Sequence, residues 1–525
     1  HQGADAAGLA ERHQIAATMI DATPLLRAVT KPRLAALARM DPLAAQRTTL
    51  RRLLRRAANT RFGRDHGFAE IRTIREYQAH VKLRHFEDFL RDYWQEAFPR
   101  LHNVTWPGLI RFFAQTSGTT GGITKRIPVS RAMIRSNEGA GLDTLAFHLE
   151  ARPHSRVFGG YNFLLGGSTN MERLARGIYS GDLSGIVVHQ MPLWARPRAF
   201  PSRDLALIGD WEAKVAAMAP ASLERDIRSI SGTPSWMLLF FERVAALRPD
   251  RPRRLVEYYP NLELVVHGGV SFTPYRDSMA AWLEGSHAET REAYAASEGF
   301  IAMADRGPGD GMRLVLDRGL FFEFVRPDAL DQPNPDRRWL ATADLGVEYA
   351  LVLSTNSGVW SYVIGDTVTL IHRDPPRLVV TGRTAFMLSG FGEHVAAHEL
   401  DAATADAARA IGASVTDYAA APLYPEPGRA RGGHLFVVEL SRPAPGEETR
   451  FAEVLDATLT RLNLDYADHR RGDFGLAPPQ VRLVPPGTFE AWMKRRGKLG
   501  GQNKVPRVIN DPALLADLRS FVEAR

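Results

Sequence analysis

The chain has 525 residues, 45% hydrophobic and 24% charged, the proportions of ordinary globular proteins, and several times the usual domain length of about 100 to 150 residues, so two or more domains are expected. It has no cysteine, which excludes disulfides, thiolate zinc sites and a cysteine nucleophile. Its net charge of +7 is carried by scattered arginines, which suits nucleic acid, an anionic membrane or a polyanion such as ATP without selecting among them.

The first twenty residues, HQGADAAGLAERHQIAATMI, contain acids and lack the apolar core of a signal peptide, and His1 in place of methionine reads as a processed end. No run approaches eighteen apolar residues, so a cytoplasmic protein with no membrane partner is expected. Residues 33 to 60 have helical periodicity, with Leu34, Leu37, Ala38, Leu50, Leu53 and Leu54 on one side and Arg51, Arg52, Arg55 and Arg56 on the other. That basic face is either solvated or a surface for RNA or membrane. The turn-rich NTRFGRDHGF then leads into a helical, aromatic pattern from Ile71 to Trp94.

Phe113 to Pro128 reads FAQTSGTTGGITKRIP, crowding Thr116, Ser117, Gly118, Thr119, Thr120, Gly121 and Gly122 ahead of Lys125. Glycines let a backbone approach a ligand closely, and hydroxyls, freed N–H groups and a lysine suit phosphate oxygens. Apolar Leu109 to Ala114 predicts a strand and the sequence after Pro128 a helix, which places the loop at a strand end. It is not a Walker A, because Ile123 stands where the second glycine would follow Gly118, nor does it match the dinucleotide fingerprint. A flexible linker is the alternative.

Residues 155 to 200 alternate apolar runs with Gly159-Gly160 and Gly166-Gly167, as strands and tight turns do. Residues 203 to 248 read as helices broken by Pro220 and by the Gly232-Thr233-Pro234 turn. Strand-like runs follow at Leu262 to His267, Leu320 to Val325, Tyr349 to Thr355 and Leu378 to Thr381, with helical or turn segments between, which argues for mixed α/β architecture. From about residue 395, a helix (Glu399 to Ile411), a strand (Leu435 to Leu440), a helix (Arg450 to Leu462) and a strand (Val481 to Val484) predict a compact α+β unit. The last helix has Asp511 as N-cap and Pro512 at its first position.

Four further stretches carry candidate chemistry. Val265 to Val270 reads as a strand ending in Gly268-Gly269, where a planar base can lie against bare backbone or the chain simply turns. Tyr294-Ala295-Ala296-Ser297-Glu298-Gly299 offers an aromatic face, a hydroxyl and a carboxylate suited to a metal ion beside a triphosphate, or a helix cap. Tyr362 to Asp366 reads as a strand ending in Gly365-Asp366, with an aspartate able to accept ribose hydroxyls, or as a turn. The run Lys494, Arg495, Arg496, Lys498 and then GQNKVPR is a surface loop, a nucleic-acid patch, or a segment that brings a lysine onto developing phosphate charge. His372-Arg373-Asp374 and Asp473-Phe474-Gly475 are not kinase motifs, since neither the following asparagine nor a β3 lysine motif is present. His394, His398 and Glu399 are in neither zincin order.

In this order, TSGTTGGITKRIP, YAASEG and YVIGD resemble the three nucleotide motifs of the GH3 acyl-acid amido synthetase family, within the acyl-adenylate-forming enzymes. NTRFGRDHGF and VKLRHFEDF resemble its N-terminal signature and GQNKVPR its C-terminal one, so the resemblance covers nearly the whole chain and suggests a bacterial member. It implies an α/β fold with a large N-terminal adenylate-forming domain of mixed β-sheets and flanking helices, residues 1–385, and a small mobile α+β C-terminal domain, residues 386–525. By the same resemblance Thr116, Ser117, Gly118, Thr119, Thr120 and Lys125 would handle ATP phosphates. Gly268, Gly269 and Val270, with Tyr294, Ala295, Ala296 and Ser297, would contact the adenosine. Glu298 would bind Mg2+, Asp366 the ribose, and Arg383 would mark the ribose and hinge region, while Lys504 would be the mobile lysine that stabilises adenylation.

One departure is Trp360-Ser361-Tyr362-Val363, which lacks the arginines common before and within the third motif and so points to a different substrate. The implied reaction converts a carboxylic acid to an acyl-AMP and then to an amide with an amine, expected to be an amino acid, without nucleic acid. Apolar surface for the acid is expected among residues 155 to 240 from Phe158, Tyr161, Phe163, Trp194, Trp236 and Phe240, aromatics that a core would equally use. An acyl-CoA synthetase and a non-catalytic nucleotide- or RNA-binding protein are the alternatives.

Overall fold

The structure, a computed structural model, describes residues 19–116, 125–166, 169–208, 211–269, 272, 275–330, 332–384, 388, 395, 397–423, 432–463, 466–467, 470, 476–498, 504–509 and 511–524. The periodicity across residues 33 to 60 belongs to two helices, Thr23–Ala38 and Pro42–Ala57. They divide at Asp41-Pro42, because a residue before proline avoids the helical region while proline itself suits a first helical position. Asp41 then accepts hydrogen bonds from the backbone N–H of Leu43 at 2.8 Å and Ala44 at 3.0 Å. Leu50, Leu53, Leu54 and Ala57 turn inward, and Arg51, Arg52, Arg55 and Arg56 stay in solvent. The expected helical stretch Ile71 to Trp94 is a run of short helices, Ile74–His80, Phe86–Phe89 and Leu90–Trp94.

In chain order the strands are β1 (Phe112–Thr116), β2 (Lys125–Val129), β3 (Tyr161–Leu165), β4 (Met171–Ala175), β5 (Ile178–Gly181), β6 (Ala199–Phe200), β7 (Ile227–Gly232), β8 (Leu264–Gly268), β9 (Glu289–Ala296) and β10 (Gly299–Met303). They continue as β11 (Met312–Leu314), β12 (Leu320–Val325), β13 (Arg337–Trp339), β14 (Glu348–Thr355), β15 (Tyr362–Arg373), β16 (Pro376–Arg383), β17 (Val415–Leu423), β18 (Gly433–Leu440) and β19 (Gln480–Val484). A four-stranded sheet has the order β2-β1-β5-β4, and a twelve-stranded one runs β13-β12-β14-β15-β16-β11-β10-β9-β8-β7-β3-β6. Within the large sheet β6, β3, β7, β8 and β9 are parallel and the remainder antiparallel.

Two expectations between residues 203 and 248 are corrected. Ile227–Gly232 is the buried strand β7, and Pro220 lies inside the helix Trp211–Leu223 without ending it. Proline removes one hydrogen bond there, and burial of Val215, Met218 and Ala219 in the adjoining core offsets the loss.

The C-terminal residues form a separate three-stranded sheet of order β17-β18-β19. Alternation decides its two faces: Tyr418, Ala420, Phe436 and Val438 pack toward helices Ala397–Ala410 and Glu448–Leu462. Ala419, Ala421, Leu435 and Val437 pack with Phe489, Trp492 and Leu518 of helices Thr488–Arg495 and Pro512–Glu523. Asp511 caps that last helix through the N–H of Ala513. The expected domain boundary at 385/386 falls outside the described residues.

In β18, buried Glu439 accepts hydrogen bonds from the backbone N–H of Gly487 at 2.8 Å and Phe489 at 2.7 Å, so its carboxyl caps the helix that follows. Burial pushes its pKa up to about 7 from the ordinary 4.5. A raised acid holds its proton in the folded state, and that contribution to stability, complete below pH 4.5, is lost as pH rises to 7. Wild type is therefore expected to lose on the order of 3 kcal/mol relative to Glu439→Gln across that window. Urea unfolding of both at a series of pH values measures it. Loss of a capping bond in the glutamine variant adds a constant offset, so a pH-independent difference would refute the assignment.

Candidate functional site

The parallel strands end together, with Gly232 of β7 beside His267 of β8 and Gly268 of β8 beside Ala293 of β9. Ligands of open α/β sheets bind outside such carboxyl ends. A Cβ on Gly268 would stand 2.0 Å from the Ala293 carbonyl oxygen, so β8 and β9 approach more closely there than a side chain allows. Gly269 follows at φ +82°, a left-handed conformation that glycine adopts without strain. A Cβ there would meet Lys504 Nζ at 3.2 Å and Thr233 Oγ1 at 3.6 Å. Lys504 Nζ donates to the Gly269 carbonyl, which brings that lysine onto the Gly-Gly strand end. Val270 lies outside the described residues.

β9 and β10 form a hairpin whose turn is Ser297-Glu298. Tyr294, Ala295 and Ala296 close β9, and Glu298 is only 6% exposed. From there Tyr294 Oη donates to the Asp366 carboxylate of β15, which joins the second and third motifs.

The expectation that a strand ends at Gly365-Asp366 is corrected. β15 runs on to Arg373, and the break is a bulge: Ala350 and Val352 of β14 face Thr367 and Val363, so β15 advances four residues where β14 advances two. Gly365 at φ +92° makes that possible. Such bulges re-aim a side chain beside a site. Asp366 stands in register with Arg383 of β16, whose side chain lies outside the described residues.

The strand-loop-helix context of FAQTSGTTGGITKRIP is also corrected. Thr116 and Lys125 are register partners of β1 and β2, so residues 117–124 join two antiparallel strands, and the helix Arg131–Ala151 comes only after β2. Ser117, Gly118, Thr119, Thr120 and the Thr116 side chain lie outside the described residues. Lys125 Nζ is 3.7 Å from the Glu87 carboxylate and 5.8 Å from the Phe86 ring centre, contacts at the base of the loop. β1 also pairs with β5 rather than with any strand of the large sheet.

His267, which entered the sequence reading only as part of a strand, is buried beside Gly268 and stacked 3.7 Å from the Phe272 ring. Burial, with the Arg276 cation nearby, pushes its pKa down to about 3, so the ring is neutral. Among the described residues its Nδ1 has no hydrogen-bond partner, and no signal short of the tertiary structure would have revealed that.

A cavity of about 120 Å³ opens at the carboxyl end of β3, walled by Leu164, Gly166, Met191, Phe200, Lys214 and Met218 among others. It lies within residues 155 to 240, where the acid was expected, but Phe200 is the one aromatic residue in its described wall. Phe163 and Phe240 instead pack edge to face at 4.9 Å in the core, and Trp194 is 54% exposed. Burial lowers the pKa of Lys214 in that wall.

His398 Nδ1 meets the Thr381 carbonyl at 2.8 Å and Glu399 accepts from Asn463 at 2.8 Å, while His394 lies outside the described residues. Among the described residues, no group of three or more histidine or acidic side chains could hold a metal ion unaided, and no helix is long and apolar enough to cross a membrane.

Comparison with solved structures matches this architecture to GH3.15 acyl acid amido synthetase, with a TM-score of 0.77 over 94% of this chain and 95% of that chain at 15% identity. It also matches 2-hydroxyisobutyryl-CoA ligase in its post-adenylation state, with a TM-score of 0.61 over 91% of each chain at 16% identity. At such identities the likeness establishes the fold alone, the one these two proteins share with this chain. In sequence, the chain is 31% identical over 252 residues to the indole-3-acetic acid-amido synthetase GH3.8 of Oryza sativa subsp. indica, covering 44% of this chain and 40% of that protein. It is 25% identical over 283 residues to GH3.3 of Arabidopsis thaliana, an indole-3-acetic acid-amido synthetase, covering 51% of this chain and 47% of that protein. The chain thus spans about half or less of the length of these two relatives. Residues 35–164 match the GH3 family N-terminal domain, 313–383 its central domain and 398–513 its C-terminal domain. Three GH3 domains in order along one chain, on a fold shared nearly end to end with a GH3 structure, show that this protein belongs to the GH3 family.

Proposed function

We propose that the protein is an ATP-dependent ligase that adenylates a carboxylic acid and passes the acyl group to an amine, an amino acid in the reading the relatives' names support. The observation that carries it is the contact of Lys504 with the Gly269 carbonyl, which holds an ammonium group over the carboxyl ends of β7 and β8. A carboxylate is a poor electrophile. Its oxygen would attack the ATP α-phosphorus, the bond to the pyrophosphate leaving group would break, and an acyl-AMP would form. The amine nitrogen would then attack the acyl carbon, the bond to AMP would break, and the amine proton would pass to solvent.

Lys504 would balance charge developing on the α-phosphate, and Lys125 at the base of the 117–124 loop would act on the phosphate tail. Asp366, already an acceptor for Tyr294, would take the ribose hydroxyls, and bare Gly268-Gly269 would admit the adenine face. A buried carboxylate beside a hydroxyl fits Mg2+, which usually binds through one or two carboxylates and substrate phosphates rather than an all-protein cage, so Glu298 would hold it. The ion would screen triphosphate charge. Residues 386–525 would act as the domain that turns between the two steps.

Pyrophosphate release with ATP, Mg2+ and a panel of aromatic and aliphatic acids, each with and without pooled amino acids, tests this. Acid-dependent release that rises with amino acids is expected. Release stimulated only by coenzyme A would make the protein a thioester ligase, and none with any acid would leave a nucleotide- or RNA-binding protein.

A further inference from the structure

We propose that Arg507 is the positioning residue that sets Lys504 over β8, by bridging the C-terminal sheet to Tyr275 of the N-terminal part. The proposal rests on the adenylation reading above. Arg507 donates to Tyr275 Oη at 2.6 Å, pairs with the Asp417 carboxylate at 2.9 Å, and lies over the rings of Tyr418 at 4.5 Å and Tyr275 at 5.6 Å. Tyr275 and Tyr418 are fully buried, and Tyr418 in turn donates to buried Asp401 at 2.7 Å. Only a planar guanidinium can donate to a phenol, pair with a carboxylate and stack on two rings at once.

The backbone around Arg507 is held just as firmly. Ala420 N–H donates to the Arg507 carbonyl at 2.8 Å and Ile509 N–H to the Ala420 carbonyl at 2.8 Å, which ties residues 507 to 509 alongside β17. Three residues of chain reach at most about 10 Å, so Lys504 cannot stray far from wherever Arg507 is fixed. Both anchors on the other side belong to one short stretch, with Gly269 under Lys504 and Tyr275 under Arg507. Asp417, Asp401 and Tyr418 are all within the C-terminal sheet and its helix, so of these partners Tyr275 alone crosses between the two parts. Two other crossings lie elsewhere: His398 to the Thr381 carbonyl at 2.8 Å, close to the junction of the two parts, and Arg409 to Asp277 at 3.5 Å, which is solvent-exposed and correspondingly weak.

Tyr275→Phe therefore removes the crossing bond while leaving the arginine with Asp417. Acid-dependent ATP–pyrophosphate exchange would be measured for wild type, Tyr275→Phe, Arg507→Lys, Lys504→Ala and the double variants with Lys504→Ala. A fall in kcat of roughly tenfold, the scale of one buried hydrogen bond, is expected for Tyr275→Phe, with the ATP KM within about twofold and the thermal midpoint lowered by only a few degrees, so that the protein stays folded at the assay temperature. Arg507→Lys, which keeps charge but loses the fork, is expected to fall at least as far. In the Lys504→Ala background Tyr275→Phe is expected to change nothing further. An unchanged kcat, or an equal fall in both backgrounds, would overturn the proposal.

A readout free of activity separates this from failure of the adenylation reading. The chain has no cysteine, so spin labels on Glu284→Cys and Lys498→Cys, both solvent-exposed, report the distance between the two parts directly. Tyr275→Phe is expected to broaden that distance distribution even if no acid supports exchange. A distribution identical to wild type would overturn the bridge.

Discussion

Lys504→Ala is expected to slow acyl-AMP formation by about 10²- to 10³-fold with ATP affinity changed only a few-fold, the effect of removing one preorganised charge from a transition state. The side chain is exposed and its described bond runs from Nζ to the Gly269 carbonyl, so folding is expected to be untouched. Exchange of labelled pyrophosphate into ATP reads the first half-reaction. Amide formation from synthetic acyl-AMP and amine reads the second, which is expected to survive. An alanine enzyme with full exchange would contradict the role given to Lys504 and, with it, the observation on which the functional proposal stands.

Gly268→Ala is expected to be the more destructive change. Its Cβ would fall 2.0 Å from the Ala293 carbonyl oxygen, a backbone atom inside the β8–β9 ladder that no rotamer change can move. The strands must part, at a cost of about 3 kcal/mol or more, and the surface offered to a nucleotide deforms with them. Gly269→Ala provides the contrast. Its Cβ would meet the movable end of Lys504 at 3.2 Å, and its positive φ costs only about 1 to 2 kcal/mol. Thermal melting is expected to show a clear fall for Gly268→Ala and a smaller one for Gly269→Ala, with exchange activity lost in the first. A Gly268→Ala protein as stable as wild type would show that β8 and β9 can separate freely there.

Elements buried on both faces were readable from sequence. Leu320–Val325 is apolar at every position but Glu323, which is buried against Arg337, because all six residues are buried, and its observed ends are the expected ones. β7 was hidden because IRSISG alternates small polar residues with isoleucine next to a glycine turn, and β17 because VTDYAAAPL carries alanine where β-branched residues would have marked a strand. β2 was missed for a related reason: KRIPV is short, contains proline and begins with two cations.

The residue types of the candidate site were legible as local patterns, since glycine pairs, a Ser-Glu pair and a basic tail each have a spacing of their own, while the hairpin that buries Glu298 was not. Which of them meet was not. Tyr294 reaches Asp366 only because β15 bulges at Gly365, and Lys504 reaches Gly269 only because the C-terminal sheet is held beside helix Arg276–Trp282.

The sequence by itself determined the α/β class, the four local motifs and the cap of the last helix, since each depends on the periodicity or backbone chemistry of a few neighbouring residues. Only the tertiary structure decided the strand order of the twelve-stranded sheet, the hairpin that frames residues 117–124, the neutral state of His267 and the Arg507 bridge to Tyr275. Those depend on burial and on contacts between residues far apart in the chain, where desolvation and packing, rather than local propensity, set the energy.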